Sequence, residues 1–510
     1  MRIHDDMCRI PAGITMKDTG NAGFEVGTTS TPPWHRWRGS QTGRRIKFIE
    51  EFCIVPRGVN AGQQIKLLPA QRTFIEKTYA KGILSAALSC PRGNGKTGLL
   101  ACIGLSELFL NPWSPDISIC ATTLQQSMRP SGVYGIARRM LQLHPELTER
   151  TLLYRGTQDP RMVVPATDGV MAPLATRDPD TLLGLSPSLL VADEFGASHW
   201  DDERWGNLVQ SGGKRGDESR VIGISTPNSQ DSAMYTLRKR VLAGAASKSV
   251  SWTEYAAHPD ADIHDTGEWH RANFALGHFL DISALQADVV DRPEWVFRMM
   301  RLGQWQSVSD DGWLGADGPG HWDATGKNIR LDVSEPVHIG VDKSMRDDCS
   351  AVSALQQVGD RWRAKVEIWT PESGVIDHAA IREHIRELCR KHNVVSVAYD
   401  PRYFVEGAQE LATEGLPMIE IPQTPARMIP AYSTLHHLII DRKLDHDDDA
   451  VLRSHVLRAV PQVSGGGFML AKNKTRHKID GVVSMAIALA GSGEAHEPET
   501  EVDDSMLGVM

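Results

Sequence analysis

The stretch Ser89-Cys90-Pro91-Arg92-Gly93-Asn94-Gly95-Lys96-Thr97 follows an apolar run and leads into helix-forming residues. That is the strand, loop and helix setting of a phosphate-binding loop. Small residues let backbone N–H groups turn inward around phosphate oxygens, and the helix N-terminus adds positive potential. In that frame Arg92, Gly93, Asn94 and Gly95 form the cradle, Lys96 reaches the outer phosphates and Thr97 can ligate magnesium. Cys90 replaces the first glycine of the usual GxxxxGK[ST] pattern, so the motif is a variant. The bland alternative is a GKT triplet at an ordinary turn.

A second motif supplies what hydrolysis needs. Ser188-Leu189-Leu190-Val191-Ala192-Asp193-Glu194 is an apolar strand ending in two carboxylates. At that strand end Asp193 would hold the magnesium shell and Glu194 would orient and deprotonate the attacking water, making an ATPase rather than a nucleotide binder. A carboxylate pair facing solvent is the structural alternative. Val221 to Ser225 forms another apolar strand, closed by Thr226-Pro227-Asn228, where Ser225 or Thr226 could sense the γ-phosphate. Gln71, in Leu68-Pro69-Ala70-Gln71, could read the adenine edge. Taken alone, the first pair would be turn residues and Gln71 a surface residue.

Together these residues resemble the large subunit of tailed-bacteriophage terminases. The likeness runs through FIEEFC at Phe48 to Cys53, LLPAQ, the arginine-bearing loop, LLVADE, GISTPN, and a connector containing AAHPDADI, EWHRAN and LGQW, over about residues 42–492. The resemblance implies adenine contact at Gln71, phosphate contact at Lys96, the magnesium carboxylate at Asp193, the catalytic glutamate at Glu194 and coupling at Ser225 and Thr226. It matches Arg92 to the family's arginine within the loop, and implies a further arginine donated by a neighbouring subunit, with Arg138 and Arg139 as candidates. It also implies a ribonuclease-H-like nuclease in the second half. ATP and Mg2+ would be the cofactors, with Mn2+ possible at the nuclease. The substrate would be double-stranded DNA, moved into a procapsid and cut from a concatemer. The partners would be a small terminase subunit, a portal protein and copies of the chain in a ring, in the cytoplasm of an infected bacterium.

The second half can be read for that chemistry independently. Two-metal phosphodiester cleavage needs acids from separate elements converging on divalent ions. Asp342 ends the run VHIGVD, Asp400 ends VVSVAYD, and Asp480 opens the apolar stretch IDGVVSMAIALA. Aspartate also favours strand ends and helix starts for turn and capping reasons, and each residue taken singly fits that role. Asp348 is a further candidate acid, and Asp347 is read as solvent-facing. Lys472, Lys474, Arg476 and Lys478 alternate just before Asp480, after a hairpin-like VSGGGFML. They form either a grip on backbone phosphate or a solvated basic loop. His446, among the acids of LDHDDD, is read as part of a turn and helix cap rather than as a metal ligand.

The elements that must position these groups follow from hydrophobic patterning. Strand-length apolar runs at Ile83 to Cys90, Ile117 to Thr122, Leu189 to Ala192 and Val221 to Ser225 alternate with helical stretches, as in a mainly parallel α/β sheet. Patterning gives α/β architecture in both halves, and with the motifs and the resemblance the expected fold class is a P-loop NTPase domain of the additional-strand, catalytic-glutamate (ASCE) type followed, as the resemblance implies, by a ribonuclease-H-like α/β domain. Further strands are expected at Val337 to Asp342, Ala351 to Gln357, Trp362 to Trp369, Val394 to Tyr399 and Met418 to Ile421. The stripe Ile381, Ile385, Leu388 marks an amphipathic helix. The expected division is an irregular arm at 1–44, the ATPase at 45–255, a helical connector at 256–330, the nuclease at 331–492 and an acidic tail at 493–510.

Composition bounds the reading. In 510 residues, 55 Lys and Arg against 64 Asp and Glu give a net charge of −9, which excludes a polybasic nucleic-acid coat but leaves room for a local basic groove. The longest late apolar stretch, Val482 to Ala490, is far short of the roughly 20 residues of a membrane span. No basic-then-apolar leader opens the chain, so a soluble intracellular protein is expected. Seven cysteines without CxxC spacing support neither a zinc site nor a disulfide framework, and read as small core residues. The rival functions are a recombinase or transposase with an ATPase domain, a helicase-like ATPase with a structural C-terminal domain, and a nucleotide-gated scaffold.

Overall fold

Unbroken burial, rather than alternation, marks the strands that carry the chemistry of the first half. Ser85–Ser89 and Arg220–Ser225 are buried at every position, and Leu189–Asp193 at all but its last. Such strands are covered on both faces, as parallel sheets flanked by helices require. The computed structural model describes residues 31–121, 127–154, 156, 159–176, 186–197, 199–228, 230–306, 312–315, 317–343, 349–371, 376–464, 466–471 and 478–494, with two short paired strands at Met16–Lys17 and Glu25–Val26. The chain forms two compact units, Met1–Val290 with Phe297–Gln306, and Asp291–Val296 with Ser307–Met510.

In the first unit eight strands form one sheet. They are β1 (Ser85–Ser89), β2 (Asp116–Ala121), β3 (Leu152–Tyr154), β4 (Arg161–Val164), β5 (Gly169–Ala175), β6 (Leu189–Asp193), β7 (Arg220–Ser225) and β8 (Val250–Glu254), in the order β8-β1-β7-β6-β2-β5-β4-β3. From β8 to β5 all neighbours are parallel, and β4 and β3 add an antiparallel edge. Strand β7 separates the phosphate-loop strand β1 from the carboxylate strand β6, the insertion that defines the ASCE order. Helices α2 (Pro69–Thr78) and α3 (Lys96–Leu110) pack on this sheet, α1 (Gln41–Phe52) packs against them, and α3 is buried almost throughout. Trp34 joins the same core, with ring centroids 5.4 Å from Phe48, 5.1 Å from Phe52 and 5.4 Å from Phe109. Strands β3, β4, β5 and β8 were not among the expected ones. Strands β3 and β4 are too short and β8 (VSWTE) too polar-interrupted to stand out, while glycine and proline break the run of β5 (GVMAPLA).

Beyond β8 lie α4 (Thr266–Ala272), α5 (Ile282–Asp291) and α6 (Glu294–Leu302). Trp269, Leu285, Phe297 and Leu302 form a small core there.

The second unit holds a six-stranded sheet of β9 (Val337–Asp342), β10 (Ser350–Val358), β11 (Arg361–Trp369), β12 (Val394–Tyr399), β13 (Met418–Glu420) and β14 (Leu444–His446), in the order β13-β12-β9-β10-β11-β14. The first three strands form an antiparallel meander, and β12 and β13 then add in parallel beside β9. That is the ribonuclease-H-like arrangement. Helix α7 (His378–Lys391) buries Ile381, Ile385 and Leu388, and Asp377 caps it through the N–H groups of Ala379 and Ala380, both at 3.0 Å. Helices α8 (Pro401–Thr413), α9 (Pro425–Ile440) and α10 (Ala450–Leu457) follow. The last helix, α11 (Asp480–Glu494), lies directly on β9. A Cβ at Gly340 would fall 2.0 Å from the Ser484 carbonyl, so only glycine allows this approach. Hydroxyls of Ser353 and Ser484, 2.5 Å apart, tie α11 to β10 as well.

Strands β15 (Val460–Ser464) and β16 (Gly467–Ala471) form the expected antiparallel hairpin. The reading of His446 as a turn residue is corrected. It ends β14, is 1% exposed and stacks on Trp322 at 3.6 Å, because its flat ring packs where the strand crosses that indole. The cap in that segment is Asp449, which accepts the Leu452 N–H at 2.7 Å. Cys53, Cys90, Cys102, Cys120 and Cys349 are buried, Cys389 is half-buried, and all six are free thiols. Among the described residues no helix is long and apolar enough to cross a membrane.

Candidate active sites

The phosphate loop leaves the buried end of β1 and turns at Gly93 (φ 97°) and Gly95 (φ 72°), both left-handed positions that glycine supplies without strain. Its first amide, Cys90 N–H, donates to Ser225 O of β7 at 3.1 Å. Lys96 opens α3, and its ammonium donates to Cys90 O (3.0 Å), Pro91 O (2.7 Å) and the Thr226 hydroxyl (2.8 Å). Burial holds the Lys96 ammonium below its usual range, while the Cys90, Asp193 and Glu194 side chains work against that. Thr97 occupies the first turn of α3.

Asp193 and Glu194 stand at the end of β6, beside β7. Burial, followed by the like charge of Glu194, pushes the Asp193 carboxyl up to about 6, with the Glu194 N–H and Lys96 opposing. Its Oδ1 accepts the Glu194 N–H at 3.0 Å. Glu194 itself sits at φ 53°, unusual for a residue with a side chain, and its side chain is exposed. Ser225 is buried and donates its hydroxyl to Thr226 O at 2.7 Å. Gln71 is also buried. Its Oε1 accepts the Leu68 N–H at 3.0 Å, and its Nε2 lies 3.5 Å from the Cβ position of Gly95, beside the loop.

Thus Lys96, Thr97, Asp193, Glu194, Ser225, Thr226 and Gln71 surround one loop. Asn94 points elsewhere: at 1% exposure, its amide bonds Pro91 O, Asn273 Oδ1 and the Ala275 N–H, leaving only its main chain for phosphate. Arg92 is exposed. On the helix Val133–Leu143, Arg138 is half-buried and Arg139 exposed.

In the second unit Val341 is paired with Tyr399, so Asp342 and Asp400 follow at the same level on neighbouring parallel strands. Asp342 accepts Gln423 Nε2 at 3.2 Å. Burial, with the Asp342 charge added, holds the Tyr432 phenol well above its usual range, which places that hydroxyl in the same neighbourhood. Asp400 is buried and caps α8 by accepting the Arg402 N–H at 3.1 Å. Asp480, 4% exposed, is the first residue of α11. Gly481 N–H donates to His455 Nδ1 at 3.1 Å, and burial draws His455 down to about 4. Burial also raises the Cys349 thiol, as does Asp480, so this acid lies by the start of β10, where Ala351 faces Asp342.

All three acids therefore gather at one end of the sheet. Among the described residues, though, no three His, Cys, Asp or Glu side chains close on a common point, with Asp342 turned to Gln423 and Asp400 to its own helix. Their hard oxygen donors suit magnesium or manganese. Of the basic loop, Lys478 lies near Cys349 and His455, whereas Lys472, Lys474 and Arg476, like Asp347 and Asp348, fall outside the described residues. Sequence reasoning missed Gln423, Tyr432 and the partners of Asn94, because no local pattern marks contacts made across such separations.

A phosphate-loop ATPase unit followed by a ribonuclease-H-like unit makes this a nucleotide-driven enzyme of nucleic-acid phosphodiesters by class. The family model "Terminase large subunit, ATPase domain" matches residues 71–242, and "Terminase large subunit, endonuclease domain" matches residues 356–497. The terminase large subunit of Enterobacteria phage HK97 is 26% identical over 501 residues, covering 90% of this chain and 97% of that protein. Its crystal structure aligns over 88% of this chain and 99% of its own at 25% identity, with a TM-score of 0.45. The large terminase of the thermophilic bacteriophage D6E, solved with ATP-gamma-S, shares the fold over 82% of this chain and 98% of its own at 10% identity and a TM-score of 0.51. The chain belongs to the bacteriophage terminase large subunits. It is a genome-packaging ATPase with an endonuclease domain, and the recombinase and helicase readings are not favoured.

Proposed function

We propose that ATP is hydrolysed at the loop of Arg92, Gly93, Asn94, Gly95, Lys96 and Thr97. Asp193 and Glu194 act with them, and Gln71 reads the adenine. Glu194 orients water and takes its proton, and Lys96 compensates charge on the outer phosphates. The observation that carries the reading is the 2.8 Å bond between the Lys96 ammonium and the Thr226 hydroxyl. It joins the phosphate-binding cation to the end of β7, so a change at the γ-phosphate reaches Ser225 and Thr226 without an intermediary.

Double-stranded DNA is then moved into a procapsid and cut at a site built from Asp342, Asp400 and Asp480, with Lys472, Lys474, Arg476 and Lys478 against its backbone. A divalent ion, magnesium or manganese, would be held by Asp193 and Thr97 and by the three nuclease acids, supplying charge neutralisation at phosphate oxygens. The division into an arm (1–44), ATPase (45–255), connector (256–330), nuclease (331–492) and tail (493–510) belongs to this reading. So do a small terminase subunit, a portal protein, a ring of copies, and the host cytoplasm as the place of work. Arg139, exposed, is better placed than Arg138 to serve a neighbour.

The test runs two assays on the purified chain, ATP hydrolysis and manganese-dependent plasmid cleavage. Both activities are expected. Joining of DNA strands would instead favour a recombinase, and absence of nicking a structural C-terminal unit.

A further inference from the structure

Three consecutive residues of the phosphate loop are held by a segment far downstream in the same unit. The Arg92 N–H donates to Met300 O at 2.8 Å, and the Arg92 carbonyl accepts Arg301 Nη1 at 3.1 Å. A Cβ on Gly93 would lie 2.9 Å from Leu280 Cδ1 and 3.3 Å from Arg301 Nη1. Asn94 bonds Asn273 at 2.9 Å and the Ala275 N–H at 3.1 Å. Arg301 is itself fixed. Its Nε donates to Asp288 Oδ2 at 2.6 Å, with 12% of the Arg301 side chain and 14% of the Asp288 side chain exposed. One planar guanidinium thus bridges a carboxylate of α5 to the main chain of the loop, a geometry that arginine's fork of donors allows and a lysine's point charge does not.

A glycine-rich loop loses conformational freedom when it closes round phosphate, and prior bracing removes part of that loss from the binding step. We infer that Arg301, fixed by Asp288, is a positioning residue for ATP binding: through the Arg92 carbonyl it holds the phosphate loop in its anion-cradling shape. No arginine outside the loop stands out in the sequence for this task. The inference rests on reading this loop as the ATP site.

The experiment uses the full chain, measuring binding of a fluorescent ATP analogue and steady-state hydrolysis. Arg301→Ala is expected to raise the dissociation constant and KM about tenfold, the effect of one charge-assisted hydrogen bond, with kcat within about twofold. Arg301→Lys should recover little of this, and Asp288→Asn, which keeps shape but loses charge, should give a smaller rise in KM. A role in folding alone would lower the active fraction, so kcat would fall at unchanged KM, and that result overturns the inference. Should Arg301→Ala fail to accumulate, an unchanged KM in Asp288→Asn overturns it equally. Lys96→Ala separates the two levels. If it binds the analogue like the wild type, the ATP site itself is misplaced. If it loses binding while Arg301→Ala does not, only the brace is wrong.

Discussion

Thr226→Val removes one hydroxyl and keeps the side-chain shape. That hydroxyl is one of three acceptors for the Lys96 ammonium, with the Cys90 and Pro91 carbonyls. Hydrogen bonds to charged groups contribute about 1.5–3 kcal/mol. Lys96 and Thr226 are both half-buried, and two carbonyls remain to the ammonium, so the low end applies. That is about 1.5 kcal/mol, or about tenfold in an equilibrium constant. On the proposed reading the ammonium turns from these acceptors to the phosphates when ATP binds, so the valine variant gives up less on binding. Thr226→Val should therefore tighten ATP binding by up to about tenfold, and Thr226→Ser, which keeps the hydroxyl, should bind as the wild type does. Titration of a fluorescent ATP analogue into each full-length variant reads this directly. Weaker binding by the valine variant, or a serine variant indistinguishable from it, would refute the argument that Thr226 tethers the lysine.

Lys96→Ala should lose ATP turnover. Glu194→Gln should still bind ATP while hydrolysing it about a hundredfold or more slowly, as phosphate-release kinetics would report. Asp342→Ala, Asp400→Ala and Asp480→Ala should each stop manganese-dependent plasmid nicking while leaving ATP hydrolysis at the wild-type rate, whereas chelation by EDTA should stop both activities; a variant that still nicks normally removes its residue from the site. Because the sequence shows no clear arginine finger placed in cis outside the loop, turnover per chain should rise with protein concentration as scattering reports assembly. A strictly monomeric chain with full, concentration-independent activity would rule out shared sites.

Much of the candidate nucleotide site was legible because its chemistry is local. Lys96, Thr97 and the Asp193-Glu194 pair are each announced by an apolar strand followed by the groups themselves, and the strands occur where those runs place them. The three candidate nuclease acids were legible only as strand and helix ends, and the structure sets those ends at one end of the sheet. What stayed hidden depends on contacts between distant segments. Asn94 looks like a cradle residue, yet its amide is spent on Asn273 and Ala275. His446 looks like a turn residue among acids, yet Trp322 supplies a flat surface that draws it into a strand. Edge strands such as Val250–Glu254 escape notice because polar residues interrupt their pattern and the neighbouring strand, not their own sequence, secures them.

The seat of the last helix on Gly340 has a consequence for when DNA is cut. With the Ser484 carbonyl 2.0 Å from where a side chain would begin, helix and strand backbones are in direct contact, and the Ser353–Ser484 hydroxyl pair pins the same helix to the next strand. Asp480 and Asp342 therefore ride on one rigid body, and their main chains cannot draw apart without tearing the sheet open. On the proposed reading of these acids as the nuclease site, cutting would then be timed by rotation of their side chains or by whether the duplex is admitted to them, rather than by assembling and dismantling the acids.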